Sequence, residues 1–143
     1  MAKSFTLKLP HLRENGPTCQ IVLKPSDPAI EELRLEKKDV PTIRVSALID
    51  TGASTTAISQ KVIKKLRLVA RGTTKVYTSN KDSEIRNEYD VALEFDTDAY
   101  IRILRVLDAN LEDHSIDCLI GRDVLAHGTL IYNGPEKQIT LSF

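Results

Sequence analysis

The sequence predicts a single domain, mostly β, with one or two short helices. Three observations carry this. The chain has 143 residues, a length that suits one domain with its own core. Prolines and polar clusters cut the apolar residues into many short runs, several of which alternate. Only one stretch repeats its apolar residues at a convincing helical spacing.

Taken in order, SFTLKL (4–9) sets Phe5, Leu7 and Leu9 on one face of a strand, and CQIVLK (19–24) is a second candidate. The charged SDPAIEELRLEKKD (26–39) reads two ways. Ser26 or Asp27 before Pro28 suits a helix start, yet Leu33 and Leu35 alternate like a strand; either way it is a surface excursion. PTIRVSALID (41–50) is a strand with Ile43, Val45, Ala47 and Ile49 inward. AISQKVIKKL (57–66) is the convincing helix. Ile58, Val62, Ile63 and Leu66 share one side and Lys61, Lys64 and Lys65 the other. Thr55 or Thr56 is the expected cap. TKVYTS, YDVALEF, YIRILRVL and IDCLI follow as strands. GRDVLAHG (121–128) reads as a short helix closed by Gly128, and TLIYNGPEKQITLSF as a hairpin turned at Asn133-Gly134-Pro135.

Lys+Arg and Asp+Glu both number 20, so the formal net charge is zero. No long-range field favours nucleic acid or an anionic membrane, and weak self-repulsion permits association. Neither nucleic acid nor membrane is expected as a partner. The N-terminus carries no apolar h-region of a signal peptide, and no stretch approaches the roughly 20 apolar residues of a membrane helix. A cytoplasmic protein is expected, with Cys19 and Cys118 reduced. His114 and Cys118 in HSIDC are half a metal site at best, so no metal or other cofactor is expected.

The chemistry-bearing stretch is ALIDTGAST (47–55). An apolar strand ends on a carboxylate, Asp50, and small residues follow. A strand entering a turn often ends in Asp, and Thr and Gly suit turns, so the tripeptide alone says little. The context adds an amphipathic helix after it. About 70 residues later the pattern of two apolar residues and a glycine returns in CLIGRDVL, again before a helix.

This pairing of LIDTGA with CLIGRDVL resembles the retropepsin family, the retroviral and retroviral-like aspartic proteases, over roughly residues 41–143. Residues 1–40 carry no part assignable to it, and the whole of 1–143 is taken as one domain. The resemblance implies a β domain whose active site forms at a two-fold axis between identical chains. It implies that Asp50 is the catalytic aspartate and that the Thr51 hydroxyl braces the two active-site loops. Gly52 leaves room for the substrate backbone, and Ala53 completes the pattern. No metal or organic cofactor is implied.

Peptide hydrolysis by carboxylates needs one group to deprotonate water and another to donate a proton. The chain offers one Asp-Thr-Gly. The look-alike DTDA (96–99) has Asp98 in place of the glycine and no helix after it. The second carboxylate must therefore be Asp50 of another copy, in a C2 homodimer. The expected activity is endopeptidase cleavage of an extended polypeptide. The alternatives are a peptide-binding or scaffolding module without turnover, and a structural β domain whose DTG is only a turn.

The resemblance also implies a flap. KVYTSNKDSEIRNEYDVALEF (75–95) fits, with SNKDS at its tip and Tyr77, Thr78, Ser79 and Asn80 as candidate substrate contacts. Retroviral flaps are glycine-rich, and this tip has no glycine. Tyr77 also has a plain packing reading. Arg122 follows Gly121; in retroviral relatives the matching arginine pairs with an acid just after DTGA, where Ser54 stands here. A structural role near the dimer edge is expected, with a partner the sequence does not name. Finally, QITLSF (138–143) ends the chain with an edge that looks open, so it is expected to pair across the dimer axis.

Overall fold

The alternating runs become strands that bury every second side chain. The computed structural model describes residues 3–77, 82–112 and 114–143. In chain order these form β1 (Ser4–Lys8), α1 (Leu12–Asn15), β2 (Thr18–Pro25), α2 (Asp27–Leu35), β3 (Ile43–Ile49), β4 (Ala57–Ser59) and α3 (Gln60–Leu66). Then come β5 (Gly72–Tyr77), β6 (Ser83–Phe95), β7 (Tyr100–Ala109), β8 (Cys118–Ile120), α4 (Arg122–Leu125), β9 (Thr129–Asn133) and β10 (Gln138–Ser142).

One sheet runs β2-β3-β8-β4-β7-β6-β5, and β2 also pairs with β6. That extra pairing closes six strands into a barrel and leaves β5 outside it, hydrogen-bonded only to the first half of β6. Closure removes most edges. The core fills the barrel: Ile21, Leu23, Ile58, Val91, Leu93, Val106 and Ile120 are fully buried. A separate three-stranded sheet, β1-β10-β9, packs against it. Phe143 and Phe5 both meet Phe95, with ring centroids 5.1 and 5.8 Å apart.

The helices differ from expectation in number and start. There are four among the described residues, two of them only four residues long. The ambiguous segment is helical as α2, with Ser26 at its N-cap and Pro28 in the first turn, where a missing N–H costs nothing. The alternation of Leu33 and Leu35 misleads because Leu35 faces solvent. Ala57 and Ile58 lie in β4, between β7 and β8, not in the helix. Their pairing delays α3, so Ser59 caps it instead of Thr55 or Thr56: its Oγ accepts from the Val62 N–H at 3.4 Å. Gly128 does not close α4, which ends at Leu125. It is needed because a Cβ there would stand 2.5 Å from the Ser142 carbonyl oxygen.

The C-terminal strand is also placed otherwise than expected. β10 is the middle strand of its sheet, bonded to β1 on one side and β9 on the other. Both its edges are satisfied within the chain, so it has no edge to offer a second copy. Ile139 and Leu141 are fully buried in this chain's own core. SFTLKL, which carried no assigned role, is the strand that covers it. Leu141→Ala is therefore expected to destabilise the fold itself, by about 2–5 kcal/mol, read as a lower urea midpoint with unchanged slope.

Cys19 and Cys118 are free and buried, on either side of Ala47 on neighbouring strands. Burial pushes the Cys19 thiol from its ordinary 9.0 up to about 12, with the Asp96 charge adding to the rise. Burial likewise pushes Cys118 up. The unfolded chain ionises these thiols near the ordinary value while the folded chain holds the protons. Stability is therefore full below pH 9 and lost as pH rises toward 12. Denaturation midpoints measured from pH 8 to about 11 should fall in wild type. The fall should be smaller in a Cys19→Ala, Cys118→Ala variant.

Candidate active site

The site follows from one feature of strand order. β8 lies between β3 and β4, parallel to the first and antiparallel to the second. The chain leaving β3 must cross the end of β8 to reach β4, and residues 50–56 make that crossing. The Asp117 backbone and side chain staple the start of β8 on both flanks. Its N–H donates to the Ser46 carbonyl at 3.0 Å, and its carbonyl accepts from the Ser59 N–H at 2.9 Å. Its carboxylate accepts from the Ser59 hydroxyl at 2.9 Å.

Gly121 stands where the loop passes over. A Cβ there would lie 2.8 Å from the Thr55 carbonyl carbon and 3.0 Å from the Ala53 carbonyl oxygen. Only hydrogen fits. That close approach lets the Arg122 N–H donate to the Ala53 carbonyl at 2.8 Å, while the Asp50 N–H donates to the Ile120 carbonyl at 2.8 Å. The loop is thus tied to β8 and the start of α4 at both ends.

Asp50 stands half-buried at the first position after β3. Its Oδ1 accepts from the Gly52 N–H at 2.9 Å, and the Ala53 N–H donates to its carbonyl at 3.2 Å. A Cβ at residue 52 would sit 3.1 Å from that same Oδ1, so a side chain there would press on the carboxylate. Oδ2 takes no hydrogen bond among the described residues. Thr51 and Gly52 are exposed and Ala53 is half-buried.

Arg122 finds a partner that the sequence left unnamed: its Nη1 donates to the Thr51 carbonyl at 2.7 Å. It forms no ion pair among the described residues. Asp50, Thr51, Gly52, Ala53 and Arg122 are therefore brought together. Tyr77 is not brought to them; it stands at the end of β5, three-quarters exposed, which removes the core-packing reading. Thr78, Ser79 and Asn80 lie outside the described residues.

Sequence reasoning passed over the strongest clamp. The Asp123 carboxylate turns away from Arg122 and accepts from the Thr56 hydroxyl at 2.7 Å and the Thr56 N–H at 3.0 Å. The Thr56 hydroxyl in turn accepts from the Gly121 N–H at 3.0 Å. Thr56 is fully buried. The sequence around it, STTAIS, is rich in hydroxyls and does not single Thr56 out; its burial does, because a buried hydroxyl must find partners. Among the described residues no group of three or more His, Cys, Asp or Glu could hold a metal. Among those same described residues no helix is long and apolar enough to cross a membrane.

A β barrel with a few short helices, whose Asp-Thr-Gly loop crosses over a second strand-Gly-helix turn, has the retropepsin-like aspartic protease fold. The model of the gag-polyprotein putative aspartyl protease family matches residues 39–127, and the chain belongs to that family. It is similar in fold to a retropepsin-like aspartic protease from Rickettsia conorii. The TM-score is 0.54 at 12% identity, covering 100% of this chain and 93% of the other. The retroviral protease-like domain of Ddi1 from Leishmania major gives a TM-score of 0.41 at 15% identity, over 65% of this chain and 74% of the other. A search of curated proteins finds no significant match.

Asp123→Ala leaves the Thr56 hydroxyl and N–H without their acceptor. Hydrogen bonds to charged groups contribute about 1.5–3 kcal/mol each. The variant is expected to lose about 2–4 kcal/mol of stability by denaturant unfolding, and Asp123→Asn, which keeps an acceptor, about half of that.

Proposed function

We propose that this chain is an aspartic endopeptidase that works as a homodimer, with 1–143 forming one protease domain. The observation that carries the proposal is the Asp50 carboxylate. One oxygen is fixed by the Gly52 N–H and the other carries no bond among the described residues, in a loop fastened at both ends. A group held this firmly suits general acid–base work. Among the described residues, the carboxylates that fasten the loop are otherwise engaged: Asp123 with Thr56 and Asp117 with Ser59.

A second copy supplies the missing partner. Two Asp50 side chains at the axis share a proton, because two close carboxylates do not both ionise readily. The ionised one takes a proton from water, which attacks the scissile carbonyl. The protonated one donates to that carbonyl oxygen, and the proton later reaches the leaving amine. Sharing one proton favours activity at acidic to near-neutral pH. The Thr51 hydroxyls brace the paired loops, and the small Gly52 and Ala53 leave room for an extended substrate.

The hairpin of β5 and β6 is the flap. β5 stands outside the barrel on the first half of β6; the hairpin holds the substrate by strand addition and excludes water on closing. Tyr77, exposed on β5, contacts the peptide, and Thr78, Ser79 and Asn80, which follow it in sequence, are the further candidates for that contact. Arg122 is a structural residue that holds the Thr51 peptide. The reaction needs no metal or organic cofactor, and buried free thiols suit the reducing cytoplasm.

Asp50→Asn preserves volume and removes the ionisable pair. It is expected to lower cleavage of a peptide library by at least about 100-fold with the melting temperature unchanged or raised. Equal cleavage by both proteins would overturn the role of Asp50. Hydroxyl-bearing transition-state mimics should inhibit wild type; inhibition by a chelator, reversed by zinc, would contradict the mechanism.

A further inference from the structure

A hairpin that closes over a substrate needs a fixed root, and one carboxylate outside the Asp50 loop stands there. β6 and β7 run together up to the pair Glu88 and Leu107. Beyond that pair the two strands part. From Glu88 back to Ser83, β6 pairs with β5. β7 lies instead beside β4, with Leu107, Asp108 and Ala109 opposite Ala57, Ile58 and Ser59. Glu88 and Leu107 therefore mark a fork. One strand enters the hairpin, and the other runs along the exit of the active-site loop.

Where strands part, a backbone donor needs a new acceptor. The first residue of β6 beyond the fork is Asn87, and Asp108 answers it with its side chain. Its Oδ1 accepts from the Asn87 N–H at 3.1 Å. Its Oδ2 accepts from the Gln60 side-chain amide at 3.4 Å, at the start of α3. One residue earlier, the Leu107 N–H donates to the carbonyl of Thr56, the buried residue of the loop clamp, at 3.0 Å. Residues 107 and 108 thus join the root of the hairpin, the end of the Asp50 loop and the helix that follows it. Asp108 forms no ion pair among the described residues. Gln60 and Asn87 are exposed and Asp108 is half-buried, so water can satisfy these groups if the carboxylate is lost. What the carboxylate adds is a fixed place for the hairpin.

We infer that Asp108 is a positioning residue. It latches the root of the β5–β6 hairpin to the exit of the Asp50 loop and so sets how firmly an extended peptide is held. It touches no reacting atom and acts through Asn87. This rests on the proposed reading of the hairpin as the flap. Main-chain bonds from a flap hold the peptide in the ground state and the transition state alike, and losing such binding raises KM with kcat unchanged. A hairpin with a loosened root opens locally more often, and its amides exchange faster.

Hydrogen exchange and peptide cleavage, both on the full chain, test this. In Asp108→Ala the amides of residues 72–77 and 83–87 are expected to exchange about tenfold faster, with those of β2 and β3 unchanged. KM for a cleaved peptide should rise about fivefold or more, with kcat within about twofold of wild type. Asp108→Asn keeps an acceptor for the Asn87 N–H and should restore most of both. Asp96→Ala removes a carboxylate just past the far end of β6, where it bonds Arg44, and should move neither readout. Circular dichroism melts establish that each variant is folded. Gln60→Ala, at an exposed position, removes one of the two ties. It should speed hairpin exchange about twofold, and it carries the test if Asp108→Ala does not fold.

Unchanged hairpin exchange in folded Asp108→Ala overturns the inference. So does faster exchange spread evenly over the domain, which a merely structural residue would give, or a fall in kcat with KM unchanged. Faster hairpin exchange without a rise in KM overturns the positioning role and leaves the Asp50 pair standing. If wild type cleaves no peptide while Asp108→Ala still loosens the hairpin, the latch is supported and the protease reading is defeated.

Discussion

The insertion of β8 between β3 and β4 is the constraint on which the rest depends. It forces residues 50–56 to arch over a strand end. It also forces a glycine at 121, because the arch passes within 2.8 Å of where a Cβ would be. Given that crossing, the loop cannot relax into an ordinary turn. Its carbonyls and N–H groups are taken up by Ile120, Arg122 and Asp123, and its one carboxylate keeps an oxygen without a hydrogen bond among the described residues. Backbone groups fixed in this way cost nothing to reorganise later, which is what a preorganised site requires.

Much of this was legible in the sequence because the deciding residues are chemically odd for their places. An aspartate ending an apolar strand, and a glycine after CLI, both mark the crossing before any coordinates. β3 reads correctly because Val45, Ala47 and Ile49 alternate into a one-sided core. The failures have a shared cause. β4 is three residues long, and Ile58 suits a helix face as well as a strand, so only its partners β7 and β8 decide. α2 was ambiguous because helical and alternating patterns coincide over a short charged segment. β10 was misread because its sequence gives no sign of having neighbours on both sides. Strand order is a long-range property, and local periodicity does not contain it.

Ser54 shows how the site tolerates a departure from the pattern of retroviral relatives, where an acid at that place pairs with the arginine. Arg122 here bonds a carbonyl instead. An exposed ion pair contributes about 0–1 kcal/mol, so its loss is slight. The bonds from buried Thr56 to Asp123 are worth more, about 1.5–3 kcal/mol each, because removing the acceptor would strand polar groups in the core. The loop's position therefore depends on the buried clamp, and the exposed arginine trims the orientation of the Thr51 peptide.

The two sheets divide the labour of edges. In the barrel, strands pair all round, and β5 is the one strand outside the ring, paired on one side only. In the small sheet, β10 is enclosed and β9 carries no charge. A fold that hides nearly all its main-chain groups leaves only a few places where another chain can add hydrogen bonds. On the proposed reading the β5 edge is the place that serves the substrate. Unpaired N–H and C=O groups are alike on every edge, so selectivity at that edge must come from exposed side chains such as Tyr77. The chain's zero net charge adds no long-range repulsion to oppose the association of two copies.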